Sequence, residues 1–505
     1  MALCGFKNVD LTTNSVRILG VHFSYNKAIC KQRNFTDVIK KIENVIKVWN
    51  FRSLTLSGKI TIFKTLAISK IVYISYLSSV PNDIISQLDI VHKNFIWGNK
   101  RAKIKHSTLI NDYGDGGLRD VDIKSKFNAL HLSWLKRLYD NNFHPWKNIP
   151  NFLFKKLSGC KSTLFFPNLS INSSALSKLP EFYKNIVINW ITFSRSEPMT
   201  ISSILSESLW HNDHIKIDLK PIRPSFLKIN DHLFLKNMFN AQGDFLSWDV
   251  FREKYSIEQS MFFKWVQVKN SIPNRWITKI RTEIGFDSLC DFRPHINFNA
   301  RILNMEKLTS SQIYKILIKS IGKTPTSQLF YNNKFDVSDK WKSIYLLPRF
   351  STVDSYSRTF QFKVLNNILY LNEKLFHLHF VQSPLCSLCS IQNESIEHLF
   401  YECPVSKSLW EFLKQRLKNR LSLQDLTPQS AVIGFIDETP PNFCITNHLL
   451  LIFKIFLFKH RAHNPTSTFL LSKIKHVAVL ERNACSSLQQ RDRFDKKWGT
   501  IVDLL

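Results

Sequence analysis

The sequence predicts a mainly α-helical protein, with helical bundles in several subdomains. Glycine supplies 13 of 505 residues, well below its usual share of about 7%. Phenylalanine supplies 40 residues, and hydrophobic residues make up 44% of the chain. Few glycines and many large side chains suit packed helices better than a turn-rich β-sandwich, a β-barrel or a glycine-rich nucleotide-binding fold. The length allows three or four domains, and the hydrophobic share excludes disorder throughout.

Apolar residues at helical spacing predict a first bundle near the N-terminus. A strand-like run at 16–23 comes first. Thr36 is a predicted N-cap, and the helix that it starts continues to about residue 49. A second helix is predicted from Ser57 to just before residue 81, and a third over 82–97. Three helices with short connections predict a small bundle.

The rest of the chain divides by changes in composition. A basic cluster, a glycine-rich turn at 114–117 and the helical pattern SKFNALHLSWLKRLYD (125–140) follow the bundle. Further on, 358–370 has the pattern of an amphipathic helix, with apolar residues on one face. The predicted domains are an N-terminal helical region, a helical connecting region, a domain with a cysteine–histidine motif and a helical C-terminal tail, over residues 1–148, 149–345, 346–420 and 421–505.

The charge balance predicts a polyanionic partner. Lysine and arginine number 69 and aspartate and glutamate 39, so the formal net charge is +30. Basic side chains that neutralise phosphates release condensed counterions, which favours binding to nucleic acid. An anionic membrane surface is the second candidate, and a basic protein that binds neither is the third.

Cysteine usage and hydropathy indicate the compartment. The nine cysteines are an odd number and widely scattered, and no signal-peptide pattern precedes them, which predicts a reducing, intracellular compartment, cytoplasmic or nuclear. The most apolar run, 449–458, is interrupted by Lys454 and is about half the length of a membrane span. It is predicted to be a buried helix, with no membrane partner.

One motif has the spacing of a metal site. Cys386, Cys389, His398 and Cys403 supply four soft or borderline ligands within 18 residues. Zn²⁺ prefers four such ligands in a tetrahedron, and four protein ligands leave no open position. The motif therefore predicts a structural zinc ion that helps a short segment to fold. The alternative is a set of buried free thiols beside an unrelated histidine.

The surrounding residues predict how the ligands are placed. Ser395, after Glu394, is a predicted N-cap of a short helix that carries His398, and Pro404 is placed to start the next helix. The nearby aromatic residues have two possible roles, packing in a core or stacking on nucleic-acid bases; they are Phe400, Tyr401 and Trp410.

Several long strings resemble a known family. The strings after the N-terminus are RILGVHFSYN (17–26), WNFRSLTLSGKITIFKTLAISKIVY (49–73), FIWGNKRAKIKHSTL (95–109), GGLRDVDI (116–123) and LSWLKRLYD (132–140). They resemble the segment after the catalytic palm in reverse transcriptases of LINE-type non-long-terminal-repeat retrotransposons. The string FQFKVLNNILYLNEKL (360–375), with the four ligands, resembles their reverse-transcriptase zinc-binding domain. The resemblance runs from residue 9 to about 465.

The resemblance implies a helical thumb over 30–98, which would grip a primer–template duplex of RNA or DNA. Lys59 and Lys70 are eleven residues apart, so a continuous α-helix would place them on one face. A solvated helix face is the alternative role for such lysines. The strongest candidates for nucleic-acid contact combine an aromatic ring with basic groups; they are Trp97, Lys100, Arg101, Lys103 and Lys105.

The departures from the family predict a chain that is not an enzyme. Reverse transcriptases need paired palm aspartates to hold two metal ions, and no adjacent Asp-Asp pair occurs in this sequence. No string resembles the family's endonuclease. We therefore expect a truncated copy that binds nucleic acid and does not polymerise by itself. Two alternatives stay open: a polymerase part that acts only with a palm-bearing chain, and a host-adopted zinc-dependent interaction protein.

Overall fold

The computed structural model confirms a mainly helical protein. It describes residues 15–139, 142, 144–158, 166–171, 173–229, 232–282, 295–298, 301–418, 420–436 and 442–504. Cys4, Cys160 and Cys290 lie outside these residues, as does part of the predicted domain border near 148. The described part divides into two compact units, 1–39 with 70–88 and 122–320, and 40–69 with 89–121 and 321–505. The four predicted domains stay a prediction.

Helices make up most of the described backbone up to residue 321. The α-helices and π-helical turns of this part are Lys27–Lys31, Gln32–Thr36, Asp37–Asn50, Leu56–Ile62, Phe63–Ala67, Ser69–Leu77, Asn82–Trp97, His106–Leu109, Ile123–Leu132, Leu135–Tyr139, Asn148–Ser158, Ser173–Leu176, Glu181–Ser194, Ile201–Leu205, Trp248–Tyr255, Phe262–Ser271, Asn274–Thr282 and Ser310–Ile321.

The C-terminal part has the same character. Its α-helices and π-helical turn are Ser327–Phe335, Trp341–Ser351, Ser355–Leu365, Asn372–His377, His398–Glu402, Pro404–Arg416, Pro428–Ile433, Asn442–His460, Ser467–Ser487 and Arg491–Trp498. The strands of the described residues form three antiparallel pairs: Val16–Ile18 with Val21–Phe23, Lys216–Ile217 with Lys220–Pro221, and His295–Phe298 with Arg301–Asn304.

The first helix begins earlier than the sequence predicted. Asn26 is its N-cap and accepts a hydrogen bond from the Ala28 amide, and the helix passes through the π-helical turn Gln32–Thr36 into Asp37–Asn50. Its first turns, Lys27–Lys31, contain no buried residue. The predicted start at Thr36 was wrong because the apolar residues of these turns, Ala28, Ile29 and Cys30, are consecutive and do not show the spacing of three or four residues that marks a packed helix face.

The next two predicted helices are confirmed in outline. The second begins at Leu56, after the N-cap Thr55, and is interrupted by the π-helical turn Phe63–Ala67 before Ser69–Leu77. The third spans Asn82–Trp97 as predicted. A π-helical turn contains more residues than an α-helical one, so the assumption of an unbroken α-helix from Lys59 to Lys70 was wrong.

Two apolar cores lie among the described residues of the first unit. One is centred on Trp190 and the other on Trp210 and Trp276, all nearly inaccessible to solvent. A polar group is also buried in this unit. The Glu207 carboxyl accepts hydrogen bonds from the side-chain amides of Asn168 and Asn212 at 2.9 and 2.8 Å. Burial raises its pKa to about 8 despite these bonds.

The second unit has one large core around the helix Asn442–His460. Trp410 stacks on Phe453 of that helix with ring centroids 3.5 Å apart, and its indole N–H donates to the Phe400 carbonyl at 2.9 Å. The helix is apolar and long enough to cross a membrane, but 72% of its most apolar window is buried inside the protein. This agrees with the prediction of a buried helix over 449–458.

That helix contains a fully buried lysine. The Lys454 ammonium donates to the Gln361 side-chain oxygen at 2.7 Å and to the Val432 carbonyl at 2.9 Å. Burial lowers the pKa of Lys454 to about 7. Near neutral pH the native protein can thus keep this amine uncharged, because its two neutral acceptors do not compensate a full positive charge.

The stability of this unit should therefore depend on pH through Lys454. Between about pH 7 and 10 the unfolded chain, with an ordinary lysine pKa, binds more protons than the native one, so stability increases with pH by at most about 1.4 kcal/mol per pH unit. The variant Lys454→Met lacks this contribution. We expect the thermal midpoint of the wild type to rise relative to this variant between about pH 7 and about pH 9. The exposed control Lys407→Met should differ from the wild type by the same midpoint at every pH. The same constant difference for Lys454→Met would contradict a buried neutral amine.

Candidate metal centre

A tight hairpin positions the first two cysteines. The Cys386 amide donates to the Gln392 carbonyl at 2.8 Å, and the Glu394 amide donates to the Pro384 carbonyl at 2.9 Å. At its tip the Ser390 amide donates to the Cys386 carbonyl at 2.9 Å, and Ser390 has a φ of 55°. This tight reversal of the backbone brings Cys389 back beside Cys386.

A short helix delivers the other two ligands. Ser395 is its N-cap, as predicted, because its hydroxyl oxygen accepts a hydrogen bond from the His398 amide at 3.1 Å. The helix widens into the π-helical turn His398–Glu402, in which the Cys403 amide donates to the His398 carbonyl, five residues earlier, at 2.8 Å. Pro404 then starts the helix Pro404–Arg416, which confirms the prediction at that position.

The four donor atoms lie close enough to share one ion. All of them are within 4.8 Å of one another. The Sγ atoms of Cys386 and Cys403 are 4.0 Å apart, and Cys389 Sγ is 3.3 Å from His398 Nε2. A zinc tetrahedron has sulphur–sulphur edges of about 3.8 Å and sulphur–nitrogen edges of about 3.6 Å, given its usual bond lengths. The donor set and its spacing therefore fit a zinc ion.

The surroundings of Cys403 favour its thiolate, which is the form that binds a metal. Cys386, His398 and Cys403 are at most 2% exposed. The hydrogen bond from Cys386 lowers the pKa of Cys403 to about 5, and the backbone amides of Val405 and Ser406 act in the same direction. The same hydrogen bond, together with burial, raises the pKa of Cys386. The two sulphurs thus share one hydrogen bond, whose proton a bound dication would replace.

A neighbouring amide orients the histidine. His398 Nδ1 lies 3.0 Å from the Gln392 side-chain oxygen. A proton on Nδ1 would be donated to that oxygen, which leaves the Nε2 lone pair directed at Cys389 and available to a metal. Histidine ligands of metals are commonly fixed in this way.

A buried carboxylate joins the hairpin to the rest of the second unit. Glu394, inaccessible to solvent, accepts hydrogen bonds from the Ser387 amide at 2.9 Å and from the Asn372 amide at 3.2 Å. The guanidinium of Arg461 lies 3.5 Å from the same carboxylate. The segment that holds the cysteines is thus anchored both to the helix Asn372–His377 and to the end of the helix Asn442–His460.

The aromatic residues beside the motif belong mainly to the core. Phe400 is inaccessible to solvent, Trp410 is 2% exposed, and Tyr401 is partly buried against the same cluster. This supports the packing interpretation over base stacking for Phe400 and Trp410, since a buried ring has no face to offer a base.

The predicted nucleic-acid residues have different environments. Lys59 donates to the carbonyls of Phe95 and Ile96 at 2.9 and 3.4 Å, and burial lowers its pKa. It satisfies the last carbonyls of the helix Asn82–Trp97 and is poorly placed for a phosphate. Lys70 is exposed. Contact with nucleic acid stays a prediction for both residues.

The basic cluster after this helix is on the surface. Trp97 is partly buried, whereas the four cationic residues are exposed; they are Lys100, Arg101, Lys103 and Lys105. Lys103 lies over the ring of Tyr370, with its ammonium 3.8 Å from the ring centroid. The sequence placed this lysine beside Trp97 and gave no sign of its tyrosine partner, which is distant along the chain.

The structure also groups three residues that the sequence gave no reason to combine. His92 Nε2 is 3.0 Å from one Asp120 oxygen, and His106 Nδ1 is 3.6 Å from the other. The three donor atoms satisfy the same distance limit as the zinc cluster. The Val121 amide donates to the oxygen that His92 contacts. His92, His106 and Asp120 follow one another at intervals of fourteen residues, which is not a recognised spacing of metal ligands. No local pattern in the sequence could therefore have predicted this group.

A comparison with known families agrees with the geometry. Residues 309–410 match the family described as zinc-binding in reverse transcriptase. The match includes all four ligands and begins before the predicted domain border at 346. The chain therefore contains a reverse-transcriptase-related zinc-binding domain, as the resemblance of 360–375 and the cysteine motif implied.

Metal analysis should find one zinc ion per chain. Cys403→Ser removes a buried ligand, so we expect this variant to lose the ion and to melt at a lower temperature. Cys485→Ser, on the helix Ser467–Ser487 outside the cluster, should keep its zinc. Mass spectrometry of the intact native protein measures both. A metal-free wild type would contradict the assignment, and a second ion would implicate the His92, His106 and Asp120 group.

The orienting amide should matter for affinity. Gln392→Ala removes the hydrogen-bond acceptor of His398, and we expect zinc affinity to fall by about 10–100-fold. Gln392→Glu keeps an acceptor and should retain most of the affinity. Competition with a chromophoric chelator provides the measurement, with the adjacent exposed Asn393→Ala as the matched control. Equal affinities for Gln392→Ala and Asn393→Ala would show that this amide does not orient the ligand.

Proposed function

We propose that this chain is the nucleic-acid-binding part of a LINE-type retrotransposon reverse transcriptase, with a zinc ion that holds its zinc-binding domain together. The observation that carries the proposal is the match of 309–410 to the reverse-transcriptase zinc-binding family, with all four ligands converging inside it. The resemblance of 17–140 to the segment after the palm supports the LINE type and the thumb. Zinc supplies a structural cross-link, and the protein's own basic side chains contact RNA or DNA.

Charge supports a nucleic-acid partner. The formal net charge is +30. In the same unit as the four zinc ligands, Lys100, Arg101 and Lys105 are exposed within six residues. A group of exposed cations on a short segment can follow a phosphate backbone, and each contact makes affinity fall with salt. Zinc adds no positive charge to this surface, because three thiolates outweigh a dication.

We further propose that the chain does not polymerise by itself. Phosphoryl transfer in polymerases needs two metal ions about 4 Å apart on paired carboxylates. The sequence contains no adjacent aspartates. A chain that carries the palm would have to supply them, in which case this protein would act as the thumb and zinc-binding part of an assembled enzyme.

Binding to a primed template should depend strongly on salt. We expect the logarithm of affinity to fall linearly with the logarithm of salt concentration. Neutralising Lys100, Arg101 and Lys105 together to glutamine should reduce the slope by up to about three, at about 0.9 for each phosphate contact. Fluorescence anisotropy of a labelled primed template measures both effects.

The matched control neutralises two lysines and one arginine that are also exposed, Lys473, Lys475 and Arg482 on the helix Ser467–Ser487. It changes the net charge equally and should keep most of the slope. An affinity that did not change with salt, or an equal reduction of the slope in the two triple variants, would contradict the proposed interface. In that case a zinc-dependent interaction protein with no nucleic-acid partner would become the better account.

Primer extension tests the second part of the proposal. The zinc-loaded chain, with a primed template, nucleotides and Mg²⁺, should extend no primer. Extension by the chain alone would overturn the proposal, because it would require a carboxylate pair that the sequence does not suggest.

A further inference from the structure

A basic pocket with aromatic walls lies in the second unit, away from the zinc ligands. Its volume is about 400 Å³, within the range of small-ligand sites. The turn 53–56, the helix Ser355–Leu365, residues 368–370 and Phe458 form its walls, and Lys103 closes one side. A hydrogen-bonding contact of 3.4 Å between the hydroxyls of Ser57 and Thr359 joins the first two walls. Among the residues that the structure describes, the lining contains lysines but no carboxylate.

Positive charge is concentrated at this pocket. Lys363 is half-buried in the lining; burial lowers its pKa, and the neighbouring Lys103 lowers it further. Lys374 nearby also has a pKa lowered by burial and by Lys103. Ammonium groups that have lost part of their hydration and repel one another are stabilised by a bound anion, because the anion compensates both the lost hydration and the repulsion.

The other face of the pocket is apolar and aromatic. Leu54, Phe360 and Leu369 contribute apolar surface to the lining. Tyr356 lies at the rim with its side chain partly exposed, and Lys459 is positioned over its ring at 4.6 Å. A planar heterocycle could therefore leave water against apolar groups while an attached phosphate faces Lys103 and Lys363. Proteins commonly hold single strands by this combination of stacking and charge.

We propose that this pocket binds one unpaired nucleotide of a nucleic-acid strand, with the base against Tyr356 and the apolar lining and the phosphate at Lys103 and Lys363. The proposal rests on the proposed nucleic-acid function and adds a specific site to it. It also assigns single-stranded nucleic acid, since a base within a duplex is already stacked on both faces and paired along its Watson–Crick edge.

The zinc centre supports one wall of the pocket through a short chain of contacts. Arg461 donates to the Tyr370 carbonyl at 3.0 Å and lies beside the Glu394 carboxylate. Glu394 in turn accepts from the Ser387 amide, next to the ligand Cys386. Loss of the metal would loosen the hairpin, and with it the carboxylate that positions Arg461 and Tyr370. Nucleotide binding should thus depend on zinc, although no pocket residue is a ligand.

The test compares a blunt duplex with a primed template whose unpaired overhang contains 2-aminopurine, a fluorescent base that stacking quenches. The zinc-loaded full chain should bind both, prefer the overhang and quench its fluorescence. Tyr356→Ala should weaken binding of the overhang by about 5–150-fold, whereas Tyr356→Phe should not. Lys363→Gln should reduce the salt slope for the overhang by about 0.7, and the exposed Lys407→Gln should leave both quenching and slope unchanged.

Two failures can be told apart. A chain that binds neither the duplex nor the overhang contradicts the proposed function as a whole. A chain that binds both equally, without quenching and with Tyr356→Ala indistinguishable from wild type, keeps the proposed function and overturns the pocket. An overhang with an abasic site at the quenched position keeps the phosphate and lacks the base; equal affinity for it would overturn the assignment of the base to the apolar wall. Melting temperature and zinc content confirm that each variant is folded.

Discussion

Three sulphurs, of which those of Cys386 and Cys403 are buried, meet one imidazole within a few ångströms, and this convergence is the constraint on which the second unit depends. Thiolates cannot be buried together without a compensating cation, because their charges repel and water is excluded. A divalent ion would remove that cost and would link the hairpin at 384–394 to the helix that carries His398 and Cys403. The segment 390–397, between the first two and the last two ligands, has few apolar residues of its own, so a bound ion would replace a core that it is too short to form.

The same segment is connected to the larger core by ordinary interactions. Glu394 receives backbone amides from both sides and faces Arg461, while Trp410 packs on Phe453 of the central helix. A bound metal, this carboxylate and the aromatic stack would therefore act in series. In the arrangement that we propose, a structural ion would influence a surface that it does not touch, the pocket beside Tyr370. It also explains why the aromatic residues next to the motif are packed inside rather than displayed to a strand.

The sequence predicted those features whose cause is local. The spacing of the four ligands, Cys386, Cys389, His398 and Cys403, predicted a shared metal site. Ser395 and Pro404 predicted where two helices begin, and the apolar run around Lys454 predicted a buried helix. Features that depend on residues far apart were not predictable. Lys59 satisfies helix carbonyls of Phe95 and Ile96, Lys103 meets Tyr370, and Asp120 lies between His92 and His106. No pattern in one segment reveals a partner in another.

The most direct test of the account is X-ray absorption spectroscopy at the zinc edge, on the full chain expressed in zinc-supplemented medium and then purified. The account predicts a first shell of three sulphur atoms near 2.3 Å and one nitrogen atom near 2.0 Å, with no additional oxygen. A shell of oxygen and nitrogen alone, or one with a single sulphur, would contradict it, because the ion would then be bound outside the cluster of Cys386, Cys389, His398 and Cys403.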